Sequence, residues 1–275
     1  MNKVMDYYST FDEWGSLDRE PLEFQINWHY IQKYLPKKGS VLDNGAGPGK
    51  YAMKLAEEGF QVTLTDLTPK LVNIAEDKAK ELELFNQFNG FHIMDARDLK
   101  LLKDNEFDAS LMMGPMYHLQ NEQDRIAAVK ELYRVTKDKG VVFVAFMSRI
   151  RHTISSLLHP EAWKPNNIMD NIEEFIATGS FNHQDKGRFT GAYYFDLQDI
   201  NPFMESNGFE TLSLIGSSSI GSLLSKEQWD YWTNKGQAEV DRLIELLKNT
   251  ATDPYTLGVS SHLLYIGRKR MWPND

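Results

Sequence analysis

Val41-Leu42-Asp43-Asn44-Gly45-Ala46-Gly47-Pro48-Gly49 runs from an apolar segment into three alternating glycines. Val41-Leu42-Asp43 is a short apolar strand. Lys50 to Glu58 then reads as a helix, with Tyr51, Ala52, Leu55 and Ala56 on its inner face and Gly59 at the C′ position. Between the two lies a bend rich in glycine, the residue that permits a tight turn and lets a ligand approach the backbone closely.

The rhythm continues outward. Gln61 to Asp66 alternates as a second strand. Thr68 caps a helix with Pro69 at its first position, and Leu71, Ile74, Ala75, Ala79 and Leu82 form its apolar stripe. Phe91 to Met94 and Phe107 to Met113 are the third and fourth strands. Asn121 caps a helix that carries Ile126, Val129, Leu132 and Tyr133 and stops near Gly140. Val141 to Phe146 is a β-branched fifth strand. Strands joined by helical crossovers pair in parallel and are covered on both faces, so the expected architecture is an open, doubly wound α/β sheet. After residue 147 the alternation breaks. Residues 148–190 carry Pro160, Pro165 and scattered aromatics, and read as an inserted cap. Phe195 to Ser206 is a returning helix. Phe209 to Ile215 and Ser261 to Gly267 are two final strands, separated by a helix from about Gln237 to Lys248. The apolar stripe of that helix, Val240, Leu243, Ile244 and Leu247, faces the core or a second copy of the chain.

Composition bounds the function. The 275 residues are 41% hydrophobic and 25% charged, which is a folded globular profile. Thirty basic and 39 acidic residues leave a net charge of -9. That opposes a wide nucleic-acid surface, which needs a basic stripe to neutralise phosphates. Cysteine is absent. Disulfides, thiolate metal sites and cysteine nucleophiles are therefore excluded, together with methylation routes that proceed through a thiolate. The longest apolar run, Val141 to Met147, is too short to cross a bilayer. The N-terminus lacks an apolar signal-peptide core, so a cytoplasmic setting is expected.

Asp66 ends the second strand, 21 residues after Gly45. There an acid can accept hydrogen bonds from both ribose hydroxyls. Asp95 follows the third strand in Met94-Asp95-Ala96-Arg97 and can accept from an adenine amino group. Three acids at successive strand ends share the carboxyl edge of one sheet, where open α/β folds bind their ligands. The spacing Gly45-x-Gly47-x-Gly49 puts Lys50 where the last glycine of a dinucleotide fingerprint belongs, and Gly49-Lys50-Tyr51 breaks a P-loop. The pattern suits an adenosine ligand without a pyrophosphate, such as S-adenosylmethionine (SAM).

On these motifs the chain resembles the class I SAM-dependent methyltransferases, in the large bacterial group labelled type 11 or 25. Asp43 to Gly49 is similar to motif I, Asp66 to the ribose acid, and Asp95-Ala96 to the adenine site. Phe107 to Leu119 resembles the segment after strand four, and Leu132 to Gly140 the helix-to-turn stretch, with Asp138-Lys139-Gly140 where Pro-Gly-Gly is usual. The resemblance implies a Rossmann-like seven-stranded sheet, mostly parallel with its last strand antiparallel. It implies one methyltransferase domain over 1–275, divided into an N-terminal lid (1–34), a SAM-binding core (35–147), a cap insertion (148–200) and C-terminal strands and helix (201–275). The cofactor-binding residues it implies are Asp43, Gly45, Ala46, Gly47, Gly49, Asp66, Leu67, Asp95, Ala96 and Met113, with Arg19 reaching the SAM carboxylate from the lid.

Methyl transfer is an in-line displacement, and holding two reactants in line supplies roughly 7–11 kcal/mol of such a barrier. A general base is needed only where the nucleophile carries a proton. Tyr117 and His118, just past the fourth strand, are the catalytic candidates: His118 to deprotonate a hydroxyl or amine, Tyr117 to orient it. His152 and His159 lack an acidic partner at ligand spacing, so no metal is expected. His183 belongs to a polar, solvated loop. Trp28, His29 and Tyr30 pack on the core. In the cap, Trp163, Phe175, Phe181, Phe189, Tyr193, Tyr194 and Phe195 are candidates to line a substrate pocket. The acceptor is expected to be a small molecule and the chain a monomer or homodimer, without nucleic acid or membrane. A nicotinamide-dependent oxidoreductase, a non-catalytic SAM- or metabolite-binding protein and a tRNA-nucleoside methyltransferase are the competing readings.

Overall fold

A computed structural model describes residues 21–185 and 191–271. Its centre is β1 (Ser40–Asn44), which pairs in parallel with β2 (Gln61–Asp66) on one side and β4 (Phe107–Met112) on the other. Outside them lie β3 (Phe88–Ile93), parallel to β2, and β5 (Thr136–Met147), parallel to β4. The chain then reverses. β9 (His262–Lys269) runs antiparallel to β5, and β8 (Phe209–Gly216) antiparallel to β9. The seven-stranded order is β3-β2-β1-β4-β5-β9-β8. The expected Rossmann-like sheet, parallel but for the last strand of the sequence, is the one observed.

Helices cover both faces. One layer buries α1 (Pro21–Tyr34) and α2 (Lys50–Glu57), with Ile26, Ile31, Leu55, Val62 and Leu64 at its centre. The helix α3 (Pro69–Glu81) adds Val72, Ala75 and Ala79 to the same layer. Leu82, read as part of its stripe, is 43% exposed because α3 ends one residue earlier. The other layer packs Val129 and Leu132 of α5 (Glu122–Val135) and Ile200 and Met204 of α8 (Leu197–Ser206) against Val142, Val144 and Phe146. Residues 21–34 form a helix whose inner face packs into the core. Within it Trp28 and Tyr30 pack inward as expected, while His29 faces solvent.

Asn121 caps α5 as expected, its side chain accepting from the Gln123 amide at 2.8 Å. The helix does not run on toward Gly140. It stops at Val135, and β5 begins at Thr136, whose hydroxyl donates to Leu132 O at 2.7 Å. Phe107 pairs with Thr136 and Ala109 with Val141, so residues 137–140 bulge out opposite Asp108. Lys269 pins the bulge by donating to Thr136 O at 2.8 Å and Asn105 Oδ1 at 2.7 Å. A tertiary contact from the far end of the chain therefore sets this boundary, where local pattern predicted more helix.

The cap holds α6 (Arg149–Leu158), α7 (Met169–Thr178) and the short pair β6 (Ser180–Phe181) and β7 (Ala192–Tyr193). Among the described residues none of its aromatics lines either of the two cavities described below. Phe175, Phe181, Tyr194 and Trp163 close around His152, with ring centroids 4.4 to 4.9 Å from the imidazole. His183, expected in solvent, is buried beside them, its Nε2 3.1 Å from Ala162 O and its Nδ1 accepting from the Asp185 amide. Phe189 lies outside the described residues. Among the described residues no group of His, Asp and Glu could hold a metal ion, and no helix is long and apolar enough to cross a membrane.

Burial, and to a lesser degree His183 nearby, push the His152 imidazole down to about 3. A free imidazole titrates near 6.5, so below that pH the unfolded chain binds a proton that the native chain refuses. His152 therefore contributes stability above pH 6.5 that drains away as pH falls toward 3. Urea unfolding at pH 7.5 and pH 5 is expected to show a wild-type loss that His152→Phe reduces by about 2 kcal/mol. Equal pH dependence in both proteins would contradict the assignment.

Candidate functional site

The site is built on the carboxyl edge of β1, β2, β3 and β4. After β1 the chain bends through Gly45, Gly47 and Gly49, with φ of 68°, 58° and 86°. All three are in the left-handed region that side chains rarely occupy. At Gly45 the reason is also steric: a Cβ would stand 2.3 Å from Pro115 Cγ. The bend is strapped to β2, since the Gly45 and Ala46 amides both donate to Thr65 O, at 2.8 and 3.0 Å.

Asp66 joins this bend to the next one. Its Oδ2 accepts from the Gly47 amide and its Oδ1 from the Thr68 amide, both at 2.8 Å. Burial raises its pKa, and the two amides oppose the rise. The Thr68 hydroxyl is a third donor to this carboxylate.

Asp95 is placed differently. Arg97 grips it through Nε to Oδ1 at 2.9 Å and a terminal nitrogen to Oδ2 at 2.6 Å. Burial alone would raise Asp95, but the guanidinium outweighs it and holds the carboxyl below its usual range. Arg97 also reaches Asp124 at 2.9 Å.

Asp43 lies beneath the bend, 1% exposed, and its oxygens have no donor at full hydrogen-bond geometry among the described residues, the Ala52 amide acting on them only weakly. Desolvation pushes it up to about 7, only partly offset by the Ala52 amide at the start of α2. Such a group calls for a cation.

These elements enclose a cavity of about 530 Å³, within the range of small-molecule sites. Gly45, Ala46, Gly47, Asp66, Leu67, Asp95, Ala96, Met113, Tyr117 and His118 all line it, so the predicted residues of four loops converge. Gly49 is turned away, packed on Leu64 and Ala75, and serves the loop rather than a ligand. Arg19 lies outside the described residues. Sequence reasoning missed Arg97 and Asp124, although an arginine two residues from Asp95 was a readable signal. It also missed Tyr51, whose hydroxyl accepts from Asn27 at 3.1 Å, and Glu23 of α1, which no local pattern marks.

Tyr117 and His118 sit on α4 (Pro115–His118). The Tyr117 hydroxyl donates to Met113 O at 3.1 Å, and the two rings lie 5.0 Å apart. Burial pushes His118 down to about 3, so its imidazole is neutral at pH 7.

Comparison with known proteins agrees with this geometry. Residues 41–140 match the family described as "Methyltransferase domain". A putative methyltransferase, YqeM, from Bacillus subtilis is 30% identical over half of this chain and 52% of its own length. A glycine/sarcosine/dimethylglycine N-methyltransferase from Actinopolyspora halophila is 24% identical over 92% of this chain and 47% of its own. The chain thus spans about half the length of these curated relatives. The solved structure of PH0226 protein from Pyrococcus horikoshii shares the fold, with a TM-score of 0.61 at 16% identity over 96% of this chain and 99% of that one.

The buried Asp43 makes a testable demand. Its folded pKa is raised, so the stability it contributes is full below pH 3.8 and is lost as pH rises through about 7. Asp43→Asn, which mimics the protonated acid, should already exceed wild type by about 1.5 kcal/mol at pH 5 in urea unfolding without ligand, where the unfolded acid is ionised. The excess should grow to roughly 4 kcal/mol at pH 8. A variant less stable than wild type at pH 8 would show that the carboxylate is satisfied.

Proposed function

We propose that this chain, whose residues 41–140 match a methyltransferase-domain family, is a class I, cytoplasmic enzyme transferring a methyl group from SAM to a small organic molecule. The observation that carries this reading is the convergence of Asp66, Asp95 and the glycine bend on one cavity.

The residues fit the cofactor. Asp66 would accept from ribose, and Asp95 with Ala96 would meet the adenine. Asp43 is a buried carboxylate short of donors, suited to balance the ammonium or the sulfonium charge. Gly45, Ala46 and Gly47 would present backbone to the amino-acid end, with Leu67 and Met113 as apolar walls. When bound, SAM supplies an already activated methyl group.

The protein's own part is to hold the acceptor in line and exclude water. Tyr117 and His118 line the cavity for that purpose. An imidazole held near pH 3 is a poor match for proton removal at neutral pH. We therefore assign His118 to orienting the acceptor as a neutral hydrogen-bonding wall, with Tyr117 beside it. A small acceptor also accords with the net charge of -9 and with the names of the amino-acid N-methyltransferases among the relatives.

Calorimetry with SAM provides the first test. Asp66→Ala removes two charge-assisted acceptors and should weaken binding about 10- to 100-fold; unchanged affinity would remove Asp66 from the site. The second test incubates the protein with methyl-labelled SAM and fractionated metabolites. Label is expected in a small molecule, and label recovered only in tRNA would favour the competing reading.

A further inference from the structure

A second cavity, of about 950 Å³, abuts the first. It lies between α1 and α10 (Gln237–Thr250), which are joined by the Tyr30 hydroxyl donating to Lys248 O at 2.8 Å. Glu23 belongs to the walls of both cavities. Against Glu23 stands His262, with its Nδ1 2.8 Å from Glu23 Oε2 and both side chains about one quarter exposed. The His262 ring lies 5.7 Å from that of Tyr117, which walls the first cavity.

Topology explains how His262 gets there. Functional residues on a parallel strand must come from its end. His262 opens β9, but β9 runs backward and pairs His262 with Met147, the last residue of β5. The start of the reversed strand therefore reaches the same edge as Asp66 and Tyr117.

The walls of the second cavity suggest its occupant. Leu22, Trp229, Val240 and Ile244 are apolar, while Asp241 and Glu245 add carboxylates to that of Glu23. Lys248 also lines the cavity, 3.7 Å from Glu245. Three acids against one lysine and an imidazole oppose a carboxylate or phosphate acceptor and favour a cation with an apolar body.

We propose that the methyl acceptor is an amphiphilic amine held in this second cavity, and that His262, aligned by Glu23, takes the proton from its nitrogen. This rests on the methyltransferase reading above. The carboxylate of Glu23 accepts from Nδ1–H, which fixes the tautomer and makes Nε2 the basic nitrogen of the ring. The ammonium gives one proton to Nε2, leaving a lone pair on nitrogen. That lone pair forms the N–CH3 bond as the S–CH3 bond breaks, with the bonding pair remaining on sulfur as a neutral thioether. The positive charge passes to the methylated nitrogen, and His262 releases its proton to solvent. Glu23 is a positioning residue in this scheme. Among the described residues, Glu23 from α1 and Tyr117 from α4 face the imidazole, with Asp241, Glu245 and Lys248 from α10 in the shared cavity; Tyr51 stands beside Glu23.

Three measurements on the full chain test it. The first is an NMR titration of His262 without cofactor: Glu23→Gln should lower its pKa by about one unit, and an unchanged value would overturn the alignment. The second compares binding of 2-phenylethylamine and 3-phenylpropionate by calorimetry in the presence of S-adenosylhomocysteine. The amine should bind at least about tenfold more tightly and Asp241→Lys should erase that preference; preference for the acid would overturn the amine. The third is turnover with the small molecule labelled in the assay above. His262→Gln should lower kcat about 100-fold or more and abolish the acidic limb of its pH profile, with SAM affinity kept within about threefold. Glu23→Gln should shift that limb to lower pH. Wild-type turnover and pH profile in His262→Gln would overturn the proposal. A label carried on a hydroxyl or carbon would overturn the amine while leaving the methyltransferase reading intact. Failure of SAM to bind would instead defeat that reading, with the Glu23–His262 coupling still visible by NMR.

Discussion

The Asp66 carboxylate ties the cavity together. By accepting from the Gly47 and Thr68 amides it fixes the bend after β1 to the bend after β2. The two loops with the most conformational freedom are thus held by one buried group at the tip of one strand. The glycines can then adopt left-handed angles without the loop becoming mobile, because both of its neighbours are already placed. Burying a carboxylate is costly, and two backbone donors offset part of that cost. The same carboxylate lines the cavity, where a ligand can meet it.

The three strand-end acids show how differently one residue type can be prepared. Asp66 is satisfied mainly by backbone, Asp95 by the Arg97 guanidinium, and Asp43 only weakly, by the Ala52 amide. Their charges are accordingly kept, strengthened and suppressed. A cationic ligand would find its counter-charge in Asp43, while neutral hydroxyl and amino groups would find acceptors in the other two. The edge is thus graded in polarity, and that grading suits an adenosyl sulfonium better than a pyrophosphate.

The reversal of β9 adds to this edge what parallel strands could not. It delivers His262 from the start of a strand, and α1 delivers Glu23 from before the sheet begins. The cap, by contrast, turns its aromatics on one another around His152. Its contribution is a rigid side wall in which Gly191 alone, among its described residues, reaches the first cavity.

Periodicity and turn chemistry made the sheet readable from residue 41 onward, because strand, helix and glycine each impose a local rule that holds whatever lies nearby. For the same reason the acids at strand ends were legible: their spacing in sequence is their spacing on the edge. The end of α5 was not, since Lys269 settles it from 133 residues away. Nor was the interior of the cap, where whether an aromatic lines a pocket or fills a core depends on partners that no window contains. Glu23 and His262 are 239 positions apart, and their pairing exists only once one strand runs backward. Chain order dictated what each segment is, and packing dictated which distant segments meet, because a side chain's charge and exposure are set by its neighbours in space.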